Sequence, residues 1–292
     1  MNEIQIYNKN QLSLKETAWD SLSEASRKAY QSDFDAFFSF INKPAKDINS
    51  NDILSYIEHL KSMDRKNRTI NRKISSLSKM FNVLKISGEI DENPVDILRK
   101  FKNINFKFEK SKKIPINISD INKMKFNSPS EERTLAIINF MASTGFRITE
   151  LIDIKKEDVK QYDSDKMIVT IRHGKGGKQR TQYLRNERYE YLKTLFPDKE
   201  EMEYFFYNSY GNKYNRTVLW KQITELTKKN LGRKINPHMF RHFYGTHQIN
   251  IEKRDIKAVS LSMGHSNVSI TLDFYVDTAL DPDDAIIDIG GK

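Results

Sequence analysis

The sequence predicts a mainly α-helical protein of two domains, with one small β-hairpin or sheet in the second. Three observations lead to this class. Apolar residues recur at helical spacing through the first hundred positions. A charged, proline-containing stretch, "NINFKFEKSKKIPINI", fits no helical stripe and reads as a linker over residues 103–118. Helical patterning then resumes and is broken once, by alternating residues around a glycine-rich turn. A chain of 292 residues is long enough to bury two cores. The expected domains are 1–112 and 113–292, the second ending in an acidic tail over 276–292.

In the first domain, "SEASRKAYQSDFDAFFSFI" opens with a Ser cap and sets Tyr30, Phe34, Phe37 and Phe38 on one stripe. "NSNDILSYIEHL" follows Asn/Ser/Asp start signals and spaces Ile53, Leu54, Ile57 and Leu60 helically. "RTINRKISSLSKMFNVLKISG" puts Ile70, Ile74, Leu77, Phe81 and Leu84 on one face and stops at Gly88. "NPVDILRKF" starts a short fourth helix with Pro94 in its first turn.

The second domain is expected to begin near Ser119, where "SDINKMKF" gives a short helix with a Ser or Asp start. "EERTLAIINFMASTGFR" gives a longer buried helix ending near Gly145, and "ITELIDI" begins another. In "DKMIVTIRHGKGGKQRTQYL", Met167, Val169 and Ile171 alternate, a Gly-rich turn follows, and a second extended run completes a hairpin. The remainder to about residue 275 reads as helical, with breaks at Gly232, Pro237 and Gly264.

Composition bounds the partners. The net charge is +10, which favours a polyanion. It is unevenly placed: residues 1–112 carry 20 Lys/Arg against 15 Asp/Glu, residues 113–272 carry 28 against 18, and residues 273–292 carry one Lys against six Asp. The absence of cysteine removes disulfides, thiolate zinc sites and a cysteine nucleophile, and fits a reducing interior. No signal peptide or membrane span is legible, so a soluble cytoplasmic protein is expected. Within "KSMDRKNRTINRK", Lys61, Arg65, Lys66, Arg68, Arg72 and Lys73 stand against one acid and are candidate phosphate contacts; a solvated charged face is the alternative.

Four short stretches carry candidate chemistry. "TGFRITEL" places Arg147 beyond a helix end and Glu150 three residues later, either to meet a phosphate or to pair on the surface. "RHGKGGKQR" sets Lys175 between glycines, with His173 and Lys178 nearby. "HMFRH" spaces His238 and Arg241 by three and His238 and His242 by four. The latter is a metal-ligand spacing, but position 239 is Met where a zinc-protease motif needs Glu, and no further ligand is adjacent. "MGHSNVSITLDFY" places Tyr275 ten positions after His265.

In this order the four stretches resemble the tyrosine recombinase family, which includes phage integrases and Xer-type recombinases. The resemblance covers residues 119–275 by motif, and the basic first domain looks like the family's helical, SAM-like core-binding domain. It implies Arg147 and Arg241 as an arginine pair, Lys175 as the hairpin lysine, His238 and His265 as two histidines, and Tyr275 as nucleophile, with Glu150 in a supporting role. Members with one residue fewer before the tyrosine would place it at Phe274, which has no hydroxyl. The "TLDFY" wording leans towards mobile-element integrases, while a separate arm-binding domain is not expected ahead of residue 1. The implied activity is site-specific DNA recombination: cutting and rejoining through a 3′-phosphotyrosine, without metal or other cofactor. It would act on double-stranded DNA bearing specific sites, as a homo-tetramer on synapsed DNA and a monomer in solution, at the nucleoid and without a membrane. Rival readings are type IB topoisomerase-like relaxation, a non-catalytic DNA-binding protein and a metal-dependent nuclease.

Overall fold

Helix α1 (Glu24–Ile41) begins the described part of the chain, which comprises residues 24–101, 115–172, 179–198 and 200–264 of a computed structural model. Contacts divide the chain into two units, Met1–Lys112 and Lys113–Lys292. In the first, α1 is followed by a short turn at Ala45–Asp47 and by α2 (Ser50–Ser62), α3 (Asn67–Ile86) and α4 (Pro94–Phe101). The apolar stripes meet in one core, where Phe37, Ile53, Ile70, Leu77 and Phe81 are fully buried. Each such side chain contributes roughly 1.5–3 kcal/mol on leaving water. The starts of α2 and α4 follow side-chain capping. Asn49 accepts from the amides of Asn51 and Asp52, and Asp52 accepts from the Asn49 amide in return. Buried Asn93 accepts from the Val95 amide and donates to the Ser78 carbonyl, fixing the start of α4 against α3. Gly88 takes the positive φ that lets the chain turn away after α3.

The second unit is built around α6. Its elements are α5 (Ile118–Lys123), α6 (Pro129–Thr144) and α7 (Ile148–Ile152), then a three-stranded sheet and α8 (Asn186–Leu195). The helices α9 (Arg216–Leu231), α10 (Pro237–Thr246) and α11 (Ile256–Met263) follow, with a π-helical turn at His247–Ile251 extending α10. Helix α6 packs against α9 and α10 and touches the sheet. Strands β1 (Val159–Gln161), β2 (Lys166–Ile171) and β3 (Arg180–Arg185) are antiparallel in the order β1-β2-β3. The β2–β3 register runs from Lys166 opposite Arg185 to Ile171 opposite Arg180. It turns Met167, Val169, Ile171 and Leu184 into the core.

Four expectations change. Ile116 is buried in the second core and Asn117 caps α5, accepting from the Asp120 amide, so the linker does not run to 118. The cap is therefore Asn117 and not Ser119 or Asp120. The hairpin gains a third strand, β1, too short to show its own alternation. Residues 196–198 and 200–215 are not helical: Phe205, Phe206 and Tyr207 fill the core from an irregular segment that reverses at Gly211, φ +80°.

Candidate active site

The site starts where α6 ends. Gly145 has φ +69°, and a Cβ there would lie 2.5 Å from the Tyr244 ring, so position 145 needs glycine for both conformation and space. The turn delivers Arg147 to the start of α7. Its amide donates to Glu150 Oε2 at 2.8 Å, its Nη1 to Glu150 Oε1 at 2.6 Å, and its Nη2 to the Gly264 carbonyl at 3.1 Å. The Arg147 side chain keeps 23% of its surface exposed, whereas that of Glu150 keeps 3%.

Helix α10 supplies the second arginine. Pro237 at its first position lets the helix begin without an unsatisfied amide. Arg241 is fully buried, and its two terminal nitrogens donate to the carbonyls of Gly145 and Met263. His238, one turn earlier, is exposed, and its ring meets that of half-buried His242 edge-on with centroids 4.6 Å apart. Among the described residues no three His, Asp or Glu side chains converge as metal ligands would. Lys175, His265, Tyr275 and the tail 276–292 lie outside the described residues.

A third arginine completes the arrangement, and the sequence reading did not single it out. Arg180, the first residue of β3, grips Glu150 with both ends of its fork, Nη1 to Oε1 at 2.9 Å and Nη2 to Oε2 at 2.7 Å. Its Nε donates to the Ser262 carbonyl at 2.9 Å, which also accepts from Gln182. Three consecutive carbonyls at the end of α11, those of Ser262, Met263 and Gly264, thus receive Arg180, Arg241 and Arg147. A helix C-terminus leaves carbonyls without intrahelical partners and carries partial negative charge, so guanidinium groups suit it. The next residue in the chain is His265. Burial alone would push the Glu150 carboxyl up, but the bonds and charge of Arg180, with those of Arg147, hold it at about 2. The signal for Arg180 was available: Arg180, Gln182 and Leu184 share the inward side of β3. A polar residue at such a position requires a partner.

In the first unit, the candidate DNA contacts divide into two groups. Lys61, Arg65, Lys66 and Arg68 are exposed around the α2–α3 turn. Arg72 donates to both oxygens of buried Asp33, and Lys73 donates to the same carboxylate at 2.9 Å. Burial raises the Asp33 carboxyl, and these two cations more than offset it, leaving the group below its ordinary value.

Fold and site together define a known class. The chain matches the phage integrase family over residues 112–280. It also matches the N-terminal SAM-like domain of phage integrases over residues 17–88. The chain belongs to the phage integrase family, and it is a tyrosine-type site-specific DNA recombinase. A tyrosine recombinase of Thermosipho africanus is 28% identical over 259 residues, covering 85% of this chain and 87% of that protein. The tyrosine recombinase XerC of Bacillus licheniformis is 30% identical over 260 residues, covering 83% and 82%. The Tn1549 transposon integrase, solved with circular intermediate DNA, superposes with a TM-score of 0.69 at 18% identity over 97% of this chain and 96% of that one. A lambda integrase dimer bound to a core site gives 0.69 at 14% identity, covering 95% and 94%. At these identities the structural likeness speaks for the fold.

Proposed function

We propose that Tyr275 attacks a DNA phosphodiester within a site built from Arg147, Lys175, His238, Arg241 and His265. The observation that supports this reading is the meeting of Arg147 and Arg241 on the helix end that runs directly into His265. The tyrosine oxygen forms a bond to phosphorus as the bond to the 5′-oxygen breaks. The products are a 3′-phosphotyrosine and a free 5′-hydroxyl. The 5′-hydroxyl of a second strand then attacks that ester and releases the tyrosine, so the covalent link conserves the bond and no nucleotide cofactor is needed. Arg147 and Arg241 stay protonated and neutralise the extra charge on the pentacoordinate phosphorus, the task that divalent ions perform in many nucleases. A phenol has a pKa of about 10 and needs a proton acceptor at neutral pH. His238 is assigned to that step, His265 to a phosphate oxygen and Lys175 to protonation of the leaving 5′-oxygen. Glu150 orients Arg147. Exposed Lys61, Arg65, Lys66 and Arg68 meet the DNA backbone, while Arg72 and Lys73 bind Asp33 and support the fold. The partner is double-stranded DNA with specific sites, engaged in the cytoplasm by a monomer that assembles as a homo-tetramer on synapsed DNA.

The test is trapping on a nicked suicide substrate, from which the released 5′ fragment diffuses away. Wild-type protein accumulates covalent complex. Tyr275→Phe accumulates none, while its affinity for a half-site stays close to wild type. Covalent complex in the variant would overturn the assignment of the nucleophile.

A further inference from the structure

Arg180 has no place in the chemistry above, yet the site's geometry runs through it. Its side chain is only 9% exposed. It holds Glu150 through two bonds and the Ser262 carbonyl through a third. Its guanidinium lies 5.8 Å from the centre of the Phe146 ring, between Gly145 and Arg147. Its side chain also packs on Gly264, where a Cβ would come within 3.1 Å of its Cδ. Gly264 has φ +66° and is the residue from which the chain passes to His265. One side chain therefore joins the start of β3, the carboxylate that orients Arg147, and the end of α11. Arg147 is held from both sides by groups that Arg180 touches: Glu150 on one and the Gly264 turn on the other.

We propose that Arg180 is a positioning residue for the strand-cleavage reaction. It fixes Arg147 against the scissile phosphate by clamping Glu150 and the α11 end in one frame. This inference rests on the reading of Arg147 as a phosphate ligand. The physical argument is geometric. A carboxylate held by a bidentate fork cannot pivot, whereas one held by a single-point cation can. An arginine displaced by about 1 Å from a phosphate can lower a rate by on the order of 10²-fold while ground-state binding persists.

The test uses the full chain with Arg180→Lys, which keeps the charge but loses the fork. Single-turnover cleavage is followed on two suicide substrates, one with an ordinary scissile phosphodiester and one with a methylphosphonate there. The methyl group removes one non-bridging oxygen and its charge, so the demand for an aligned Arg147 falls. On the phosphodiester the variant should cleave on the order of 10²-fold more slowly than wild type, with half-site affinity unchanged. On the methylphosphonate the gap between the two proteins should narrow by at least about tenfold. An equal deficit on both substrates, or no deficit, overturns the proposal. If thermal unfolding shows that Arg180→Lys fails to fold, Arg180→Met with Glu150→Gln removes the buried charges together. That double variant should show the same narrowing, and wild-type cleavage in it overturns the proposal equally. Failure of wild-type protein to form covalent complex on the phosphodiester would instead refute the underlying assignment of the reaction.

Discussion

Glu150 concentrates the electrostatics of the site in one carboxylate. Held at about 2 against an ordinary value of 4.5, it must stay ionised to keep both Arg147 and Arg180. A group whose folded pKa is depressed contributes stability above its unfolded pKa and loses it as pH falls towards the folded value. The contribution, about 3 kcal/mol, is complete above pH 4.5 and disappears on acidification towards pH 2. Urea titrations over this window should show wild-type stability falling more steeply than that of Glu150→Gln, by up to one proton bound on unfolding. Parallel slopes would mean that the carboxylate is not ionised as the geometry requires. The variant should also be weaker near neutral pH, because Arg180 loses its counter-charge. At this scale the sequence was legible through the family that its motifs resemble, which brings forward Arg147, Glu150, His238 and Arg241 as candidates. Arg180 was passed over: its place on the inward side of β3 calls for a partner, but those partners, Glu150 and Ser262, lie 30 and 82 positions away and no local pattern names them.

The hairpin is the element that carries the proposed general acid. Among the described residues the pairing runs to Ile171 opposite Arg180, and Lys175 lies near the middle of the sequence between them. Lys178 stands two residues before β3 begins at Arg180, whose side chain is committed inward. A long side chain between Gly174 and Gly176 has the greater reach into a DNA groove. Lys175→Ala should therefore cleave slowly on normal DNA but recover on a 5′-bridging phosphorothiolate, whose sulfur leaves without a proton. Recovery of Lys178→Ala in place of Lys175→Ala would move the acid to that position. Among the elements, α1 to α4 were legible because long apolar stripes at helical spacing outweigh local ambiguity. Residues 196–198 and 200–215 were not. Their aromatic run, Tyr204 to Tyr207, is compatible with either period, and core packing decided against the helix.

Over the whole molecule, charge and fold together set how the protein meets DNA. Basic residues exceed acidic ones in both units, and the exposed group at the α2–α3 turn offers four cations on helices packed in the first core. Each phosphate neutralised releases counterions, so half-site affinity should fall linearly on a logarithmic salt scale. Replacing Lys61, Arg65, Lys66 and Arg68 with Gln should reduce that slope by roughly one for each phosphate left without its cation. An unchanged slope, measured by titration over a range of salt concentrations, would remove this surface from the DNA interface. The two-domain plan was legible because the two stripes of buried residues form separate cores, and the break between them has no apolar period of its own.

The convergence of three arginines on the last turn of α11 also dictates when the site can come into being during synthesis. Arg147 reaches Gly264 across 117 positions, Arg241 reaches Gly145 across 96, and Arg180 reaches Ser262 across 82. Contacts this remote are slow to form, because large loops must close before any of them is gained. A ribosome that has released both Arg147 and Arg180 has still not made the carbonyls that order them. This frame of arginines therefore closes only after nearly the whole second unit has left the exit tunnel. A chain that stops short of α11 therefore carries Arg147 and Arg180 without the carbonyls that hold them.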